Sequence, residues 1–198
     1  SSKELCSPLL IAVDNNNIQT VKKLIHAKAD VNLSSNLCSP IIAASQRGYT
    51  ECVHLLLEAK ADVTSVKSEY YETSLYQAST YGHNVCVAML LNAKADPNSR
   101  TKHGIYPIYH AIIDDHNICA ELLLDAKADI TQSSNDDTPI WMCAYNDNVT
   151  ILNKLLCLKA DPNIKDTEYN LTPLFIAAER GHVDIMKRLI FHKVNLEQ

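Results

Sequence analysis

The chain has 198 residues, is 46% apolar and 21% charged, and carries a formal net charge of −5. No apolar run approaches the roughly 18 residues of a membrane-spanning helix, so no membrane insertion is expected. Residues 1–99 hold 8 Lys+Arg against 9 Asp+Glu and residues 100–198 hold 10 against 14, so neither half has the basic excess of a nucleic-acid binder. Seven cysteines, an odd number without a CxxC pair, argue against a disulfide framework and for a reducing, cytoplasmic setting. The opening Ser1-Ser2-Lys3-Glu4 has no signal-peptide pattern.

One element recurs along the whole chain. It reads Ala-Lys-Ala-Asp at 27–30, 59–62, 93–96 and 126–129, then Leu-Lys-Ala-Asp at 158–161 and His-Lys-Val-Asn at 192–195, with Lys-to-Lys steps of 32, 34, 33, 32 and 34 residues. Twenty residues before each Lys stands a second element: Ser7-Pro8, Ser39-Pro40, Thr73-Ser74, Tyr106-Pro107, Thr138-Pro139 and Thr172-Pro173. Ser or Thr before Pro predicts a helix start, because the hydroxyl caps free N–H groups and Pro loses nothing at the first helical position. A short first helix follows, ended by Gly48, Gly82 and Gly181, or by Asn16, Asp115 and Asp147. A second helix carries apolar residues at i, i+3 and i+4, as in Val53, Leu56 and Leu57 or Val87, Leu90 and Leu91. A polar loop of about ten residues leads to the next unit. Such a unit cannot bury its apolar face alone and must stack on its neighbours.

These units resemble ankyrin repeats, and Thr172-Pro173-Leu174-Phe175-Ile176-Ala177-Ala178-Glu179-Arg180-Gly181-His182 is the copy nearest the family pattern. The resemblance implies an all-α repeat solenoid, with six stacked helix-turn-helix units and β-hairpin-like finger loops. One domain over 1–198 is expected, with repeats near 5–33, 34–66, 67–99, 100–132, 133–165 and 166–198. The first unit lacks a preceding finger and the last stops where another would begin, so the expectation is a piece excised from a longer chain.

The chain departs from the family at two columns. Where the family has Gly after the second helix, every unit has Lys: Lys28, Lys60, Lys94, Lys127, Lys159 and Lys193. A non-Gly residue at positive φ there costs roughly 1 kcal/mol, partly offset by a cation at a helix C-terminus. The aspartates two residues on are expected to offset this row of charge. Where the family has His in the first helix, the chain has Leu10, Ile42, Tyr76, Tyr109, Trp141 and Phe175. An apolar seam between repeats is expected in that column.

The family's groove positions fall on Ile11, Asp14 and Asn15; Ala43, Gln46 and Arg47; Gln77, Thr80 and Tyr81; His110, Ile113 and Asp114; Met142, Tyr145 and Asn146; Ile176, Glu179 and Arg180. Aromatics, amides and both charge signs mix there, as on a protein-binding surface. The long fingers add Tyr70, Tyr71, His103 and Tyr169 as candidate contacts. Cys52, Cys86 and Cys119 share one column of the second helix and are expected to pack between units. His110 and Asp114 share a helix face, but a metal site needs further ligands. No phosphate loop, G-x-S-x-G or H-E-x-x-H is present. The reading is a monomeric, non-catalytic module that binds a protein partner through groove and fingers and holds no cofactor or metal. The alternative is a targeting or regulatory segment of a larger enzyme or effector whose active region lies elsewhere. Few glycines and Asn/Ile/Lys-rich loops suggest an AT-rich genome, and with it a resemblance to ankyrin-repeat effectors that intracellular bacteria deliver into host cells.

Overall fold

The structure, a computed structural model, describes residues 7–34, 38–67, 70–132, 137–166 and 170–192. Among these lie twelve short helices in six pairs: α1 (Pro8–Asp14) and α2 (Ile18–His26), α3 (Pro40–Arg47) and α4 (Thr50–Glu58), α5 (Ser74–Thr80) and α6 (Asn84–Asn92), α7 (Pro107–Ile113) and α8 (Asn117–Asp125), α9 (Pro139–Tyr145) and α10 (Val149–Cys157), α11 (Pro173–Arg180) and α12 (Val183–Phe191). A small hairpin pairs β1 (Val66–Lys67) with β2 (Glu72–Thr73) in antiparallel register. Helices of 7–9 residues are too short to persist alone in water, so packing must hold them. The first helices of successive pairs stack on one another as one layer and the second helices as another, and each pair closes on itself.

The start signals act as expected at three units. Ser7 Oγ accepts from the Leu10 N–H, Thr73 Oγ1 from Tyr76 and Thr172 Oγ1 from Phe175. Ser39 instead meets Ser65 Oγ at 3.1 Å. The helix-ending residues take the left-handed conformation: Asn16, Gly48, Gly82, Asp115, Asp147 and Gly181 have φ between 50° and 74°. Lys28, Lys60, Lys94, Lys127 and Lys159 do the same after the second helix, with φ from 63° to 69°. Lys193 lies outside the described residues. The aspartates near these lysines serve the turn rather than the lysines. Oδ1 of Asp30, Asp62, Asp96, Asp129 and Asp161 accepts the backbone N–H two residues on, at 2.8–2.9 Å. Hydrogen bonds from Gln132 and Thr131 hold the Asp129 carboxyl below the ordinary carboxylate range.

The core runs between the two layers through Leu9, Val21, Ile41, Leu56, Leu75, Leu90, Ile112, Leu123, Ile140 and Leu155. Cys52, Cys86, Cys119 and Cys143 are buried within it. In the seam column Leu10, Ile42, Tyr76, Tyr109 and Trp141 are buried, whereas Phe175 is 47% exposed because no described repeat stacks beyond α11 and α12.

Polar links sew neighbouring repeats together at points outside that column. His83 Nε2 donates to the Gln46 carbonyl at 3.1 Å and His116 Nε2 to Thr80 at 3.2 Å. Each ring stands over the glycine of the preceding repeat: a Cβ on Gly48 would lie 2.5 Å from His83 Nδ1, and one on Gly82 2.7 Å from His116. Where the preceding residue is Asp147 instead, His182 reaches the Ala144 carbonyl with Nδ1, at 2.8 Å. At the fifth repeat Asn148 replaces the histidine and donates to Asp115 Oδ1 at 3.2 Å and Asn117 Oδ1 at 2.6 Å. On the other side of the helices, Asn32 Oδ1 accepts from the Asp62 N–H and Asn98 Oδ1 from Asp129, both at 2.8 Å.

Candidate partner-binding groove

The first-helix layer ends, repeat after repeat, in the residues that the sequence places on the groove. Their side chains are set by contacts within each repeat and across the repeat boundary. Arg47 ion-pairs with Asp14 at 2.9 Å and donates to the Ala43 carbonyl at 3.5 Å. Tyr81 is 51% exposed. It accepts a hydrogen bond from Gln46 at 3.4 Å and stacks on His83 with ring centroids 6.3 Å apart. Thr80 Oγ1 turns back to the Tyr76 carbonyl at 3.0 Å. His110 stands edge-on to both Tyr76 and Tyr109 and meets Asp114 at 3.3 Å. Ile113 and Asp114 are exposed. Asn146 donates to the carbonyls of Ile112 and Ile113 at 3.3 and 3.0 Å. Glu179 and Arg180 are exposed at the end of α11.

Four groove residues are not on the surface: Ala43, Gln77, Met142 and Ile176 are buried. Gln77 is 4% exposed and donates to Glu72 Oε2 at 2.8 Å, drawn inward because the β2 carboxylate sits beside it. Met142 is 3% exposed and lines a cleft together with Trp141 and Tyr145 rather than a free surface. That cleft, of about 230 Å³, lies between the fourth and fifth repeats and is walled by Tyr109, Ile113, Asp137, Trp141, Met142, Tyr145 and Asn146.

Tyr145 is the best-supported side chain in the groove. Trp141 stacks on it with centroids 5.5 Å apart and planes 18° from parallel. The guanidinium carbon of Arg180 lies 3.5 Å from its ring centroid. Trp141 and Tyr145 stand four residues apart on α9, but only the stacking of repeats brings Arg180 to Tyr145.

The fingers present a second surface. The Lys102 N–H donates to the Tyr70 carbonyl at 2.8 Å, and the Tyr70 and His103 rings stack at 5.7 Å. Tyr71 is exposed at φ 58°, a strained conformation for a bulky residue. Tyr169 lies outside the described residues.

Chemically the groove offers faces, donors and charges. The buried thiols outside it are held protonated: burial pushes Cys119 up to about 11 and raises Cys52, Cys86 and Cys143 as well. Burial, with the Glu72 carboxylate next, pushes the Tyr76 hydroxyl up to about 12. Among the described residues no three His, Cys, Asp or Glu side chains gather as a metal site would require. His116, near His110 in sequence, is turned away to Thr80. No described helix is long and apolar enough to cross a membrane.

The model of ankyrin repeats matches the chain three times, at residues 9–101, 75–166 and 140–198. The chain therefore belongs to the ankyrin-repeat family, whose members are protein–protein interaction modules. The crystal structure of the human ASB11 ankyrin repeat domain superposes with a TM-score of 0.81 at 28% identity, covering 98% of this chain and 86% of that one. The ankyrin repeat domain of Bcl-3, a member of the IkappaB protein family, superposes with a TM-score of 0.85 at 21% identity, covering 98% and 89%. No curated protein matches the sequence significantly.

Proposed function

We propose that this chain binds a protein partner along the groove, centred on the third to sixth repeats. The observation that carries the reading is that surface side chains of the groove are already held in place, in part by the neighbouring repeats that supply Gln46 and Arg180. Tyr81 is fixed by Gln46 and His83, and Tyr145 by Trp141 and Arg180. Such preorganised aromatic and guanidinium groups lose little ordering entropy on binding, and Tyr and Arg are the usual anchors of interfaces. The same reading takes the chain as a non-catalytic monomer that works inside the cell. Free thiols at Cys38, Cys52, Cys86, Cys119, Cys143 and Cys157 support the reducing setting.

The test is capture from lysate by the parent and by a Tyr81→Ala, Tyr145→Ala double variant, after circular dichroism has compared their melts. Expected is a helical melt close to the parent's and loss of a protein that the parent retains. Equal retention would defeat the groove reading and move the contact to the Tyr70 and Tyr71 finger.

A further inference from the structure

Two arginines occupy the groove, and the fold treats them differently. Arg47 is neutralised within the molecule, by the Asp14 carboxylate at 2.9 Å and the Ala43 carbonyl. Arg180 has no carboxylate or carbonyl to receive its N–H groups among the described residues. It is held only by its face, 3.5 Å above the centre of the Tyr145 ring, which is backed in turn by Trp141. Face-on stacking fixes the guanidinium plane and leaves the N–H edges available, the geometry that a carboxylate meets with two parallel hydrogen bonds. Trp141 and Tyr145 also line the cleft that Tyr109, Ile113 and Met142 share. Its walls are mostly apolar, with Asp137 and Asn146 also lining it.

We propose that the groove of the fourth to sixth repeats recognises an acidic–apolar segment of a partner protein. A large apolar side chain fills the cleft, and an aspartate or glutamate pairs with Arg180. The proposal rests on the groove reading above and adds the chemistry of the partner to it. Tyr145 both carries Arg180, at 3.5 Å, and walls the cleft, so the two anchors of the partner lie within a few residues of one another along the chain.

The test selects random dodecapeptides displayed on phage against the immobilised protein. Synthetic copies of the winners are then titrated against the parent, Arg180→Gln, Ile113→Asp and the finger variant Tyr70→Ala, Tyr71→Ala, with melts confirming that each is folded. Expected is an Asp or Glu within a few residues of a large apolar residue. Arg180→Gln should weaken binding about tenfold or more, the size of a lost charge-assisted hydrogen bond. Arg180→Glu should recover affinity for a peptide whose acid is exchanged for lysine. Peptides lost with Ile113→Asp but indifferent to Arg180→Gln, or a basic consensus, would overturn the acidic partner and leave the groove standing. Peptides sensitive only to the finger variant would overturn both. A library that yields no binder would overturn the proposal as well.

Discussion

Trp141 offers the sharpest test of the packing argument. It is the sole tryptophan and is 9% exposed, between the fourth and fifth repeats. Its indole N–H is buried with no acceptor among the described residues. Burying about 200 Å² of aromatic surface at about 25 cal/mol per Å² contributes about 5 kcal/mol. Trp141→Ala is therefore expected to cost about 3–5 kcal/mol, cavity included. Trp141→Phe should behave otherwise. It keeps a ring to stack on Tyr145 and gives up about a quarter of the area, about 1 kcal/mol. It also removes an unsatisfied donor whose burial costs about 1–3 kcal/mol. The Phe variant should fall within about 1 kcal/mol of the parent, or above it. Urea unfolding followed by far-ultraviolet circular dichroism measures both, and leaves the lost tryptophan fluorescence out of the comparison. An Ala variant less than about 1 kcal/mol below the parent would show that the column is not core. A Phe variant as damaged as Ala would show that the N–H is satisfied after all.

The glycines should divide by their neighbours. Gly181→Ala meets nothing within 4 Å and should cost only the left-handed backbone penalty, about 1 kcal/mol. Gly48→Ala must in addition push His83 off the Gln46 carbonyl, so about 2–4 kcal/mol is expected in the same unfolding assay. Thiol labelling of the native protein should modify exposed Cys157 quickly, while Cys52, Cys86, Cys119 and Cys143 should react only on unfolding. Fast labelling of any of these four would refute the stacked column. Raised folded-state values at Cys119 and Tyr76 mean that the folded protein holds those protons more tightly than the unfolded chain. Their contribution is full below the unfolded values and is lost as pH rises, from about 9 to 11 for Cys119 and about 10 to 12 for Tyr76. A stability that stayed flat through that window in alkaline melts would count against the assigned burial.

The paired Ser/Thr-Pro and Lys-x-Asp elements were enough to read the repeat, because each encodes a local event: a capped helix start and a left-handed helix stop. The positive φ of Lys28, Lys60, Lys94, Lys127 and Lys159 was legible only through the resemblance to ankyrin repeats, which have Gly there, since Lys does not itself favour the left-handed region. The cysteine column followed from the register of the repeat, and most of the seam from the resemblance to ankyrin repeats. The role of the aspartates beside the lysines did not, because a nearby backbone N–H competes for the same carboxylate and wins.

What lay beyond the sequence was every property that depends on two repeats at once. Gln77 and Met142 occupy groove columns yet are buried, one bonded to Glu72 and the other in the wall of an aromatic-lined cleft. His83, His116 and His182 share one column, but the preceding turn residue, glycine or aspartate, accompanies a change in which ring nitrogen makes the bond. Arg47 and Arg180 also share a column, and only the stacked neighbour decides that one is neutralised by Asp14 and the other lies bare on Tyr145. The repeat itself is set by interactions within one unit and is written in its residues. The binding surface is set by contacts between residues some 35 positions apart, and their partners are chosen only when the units stack.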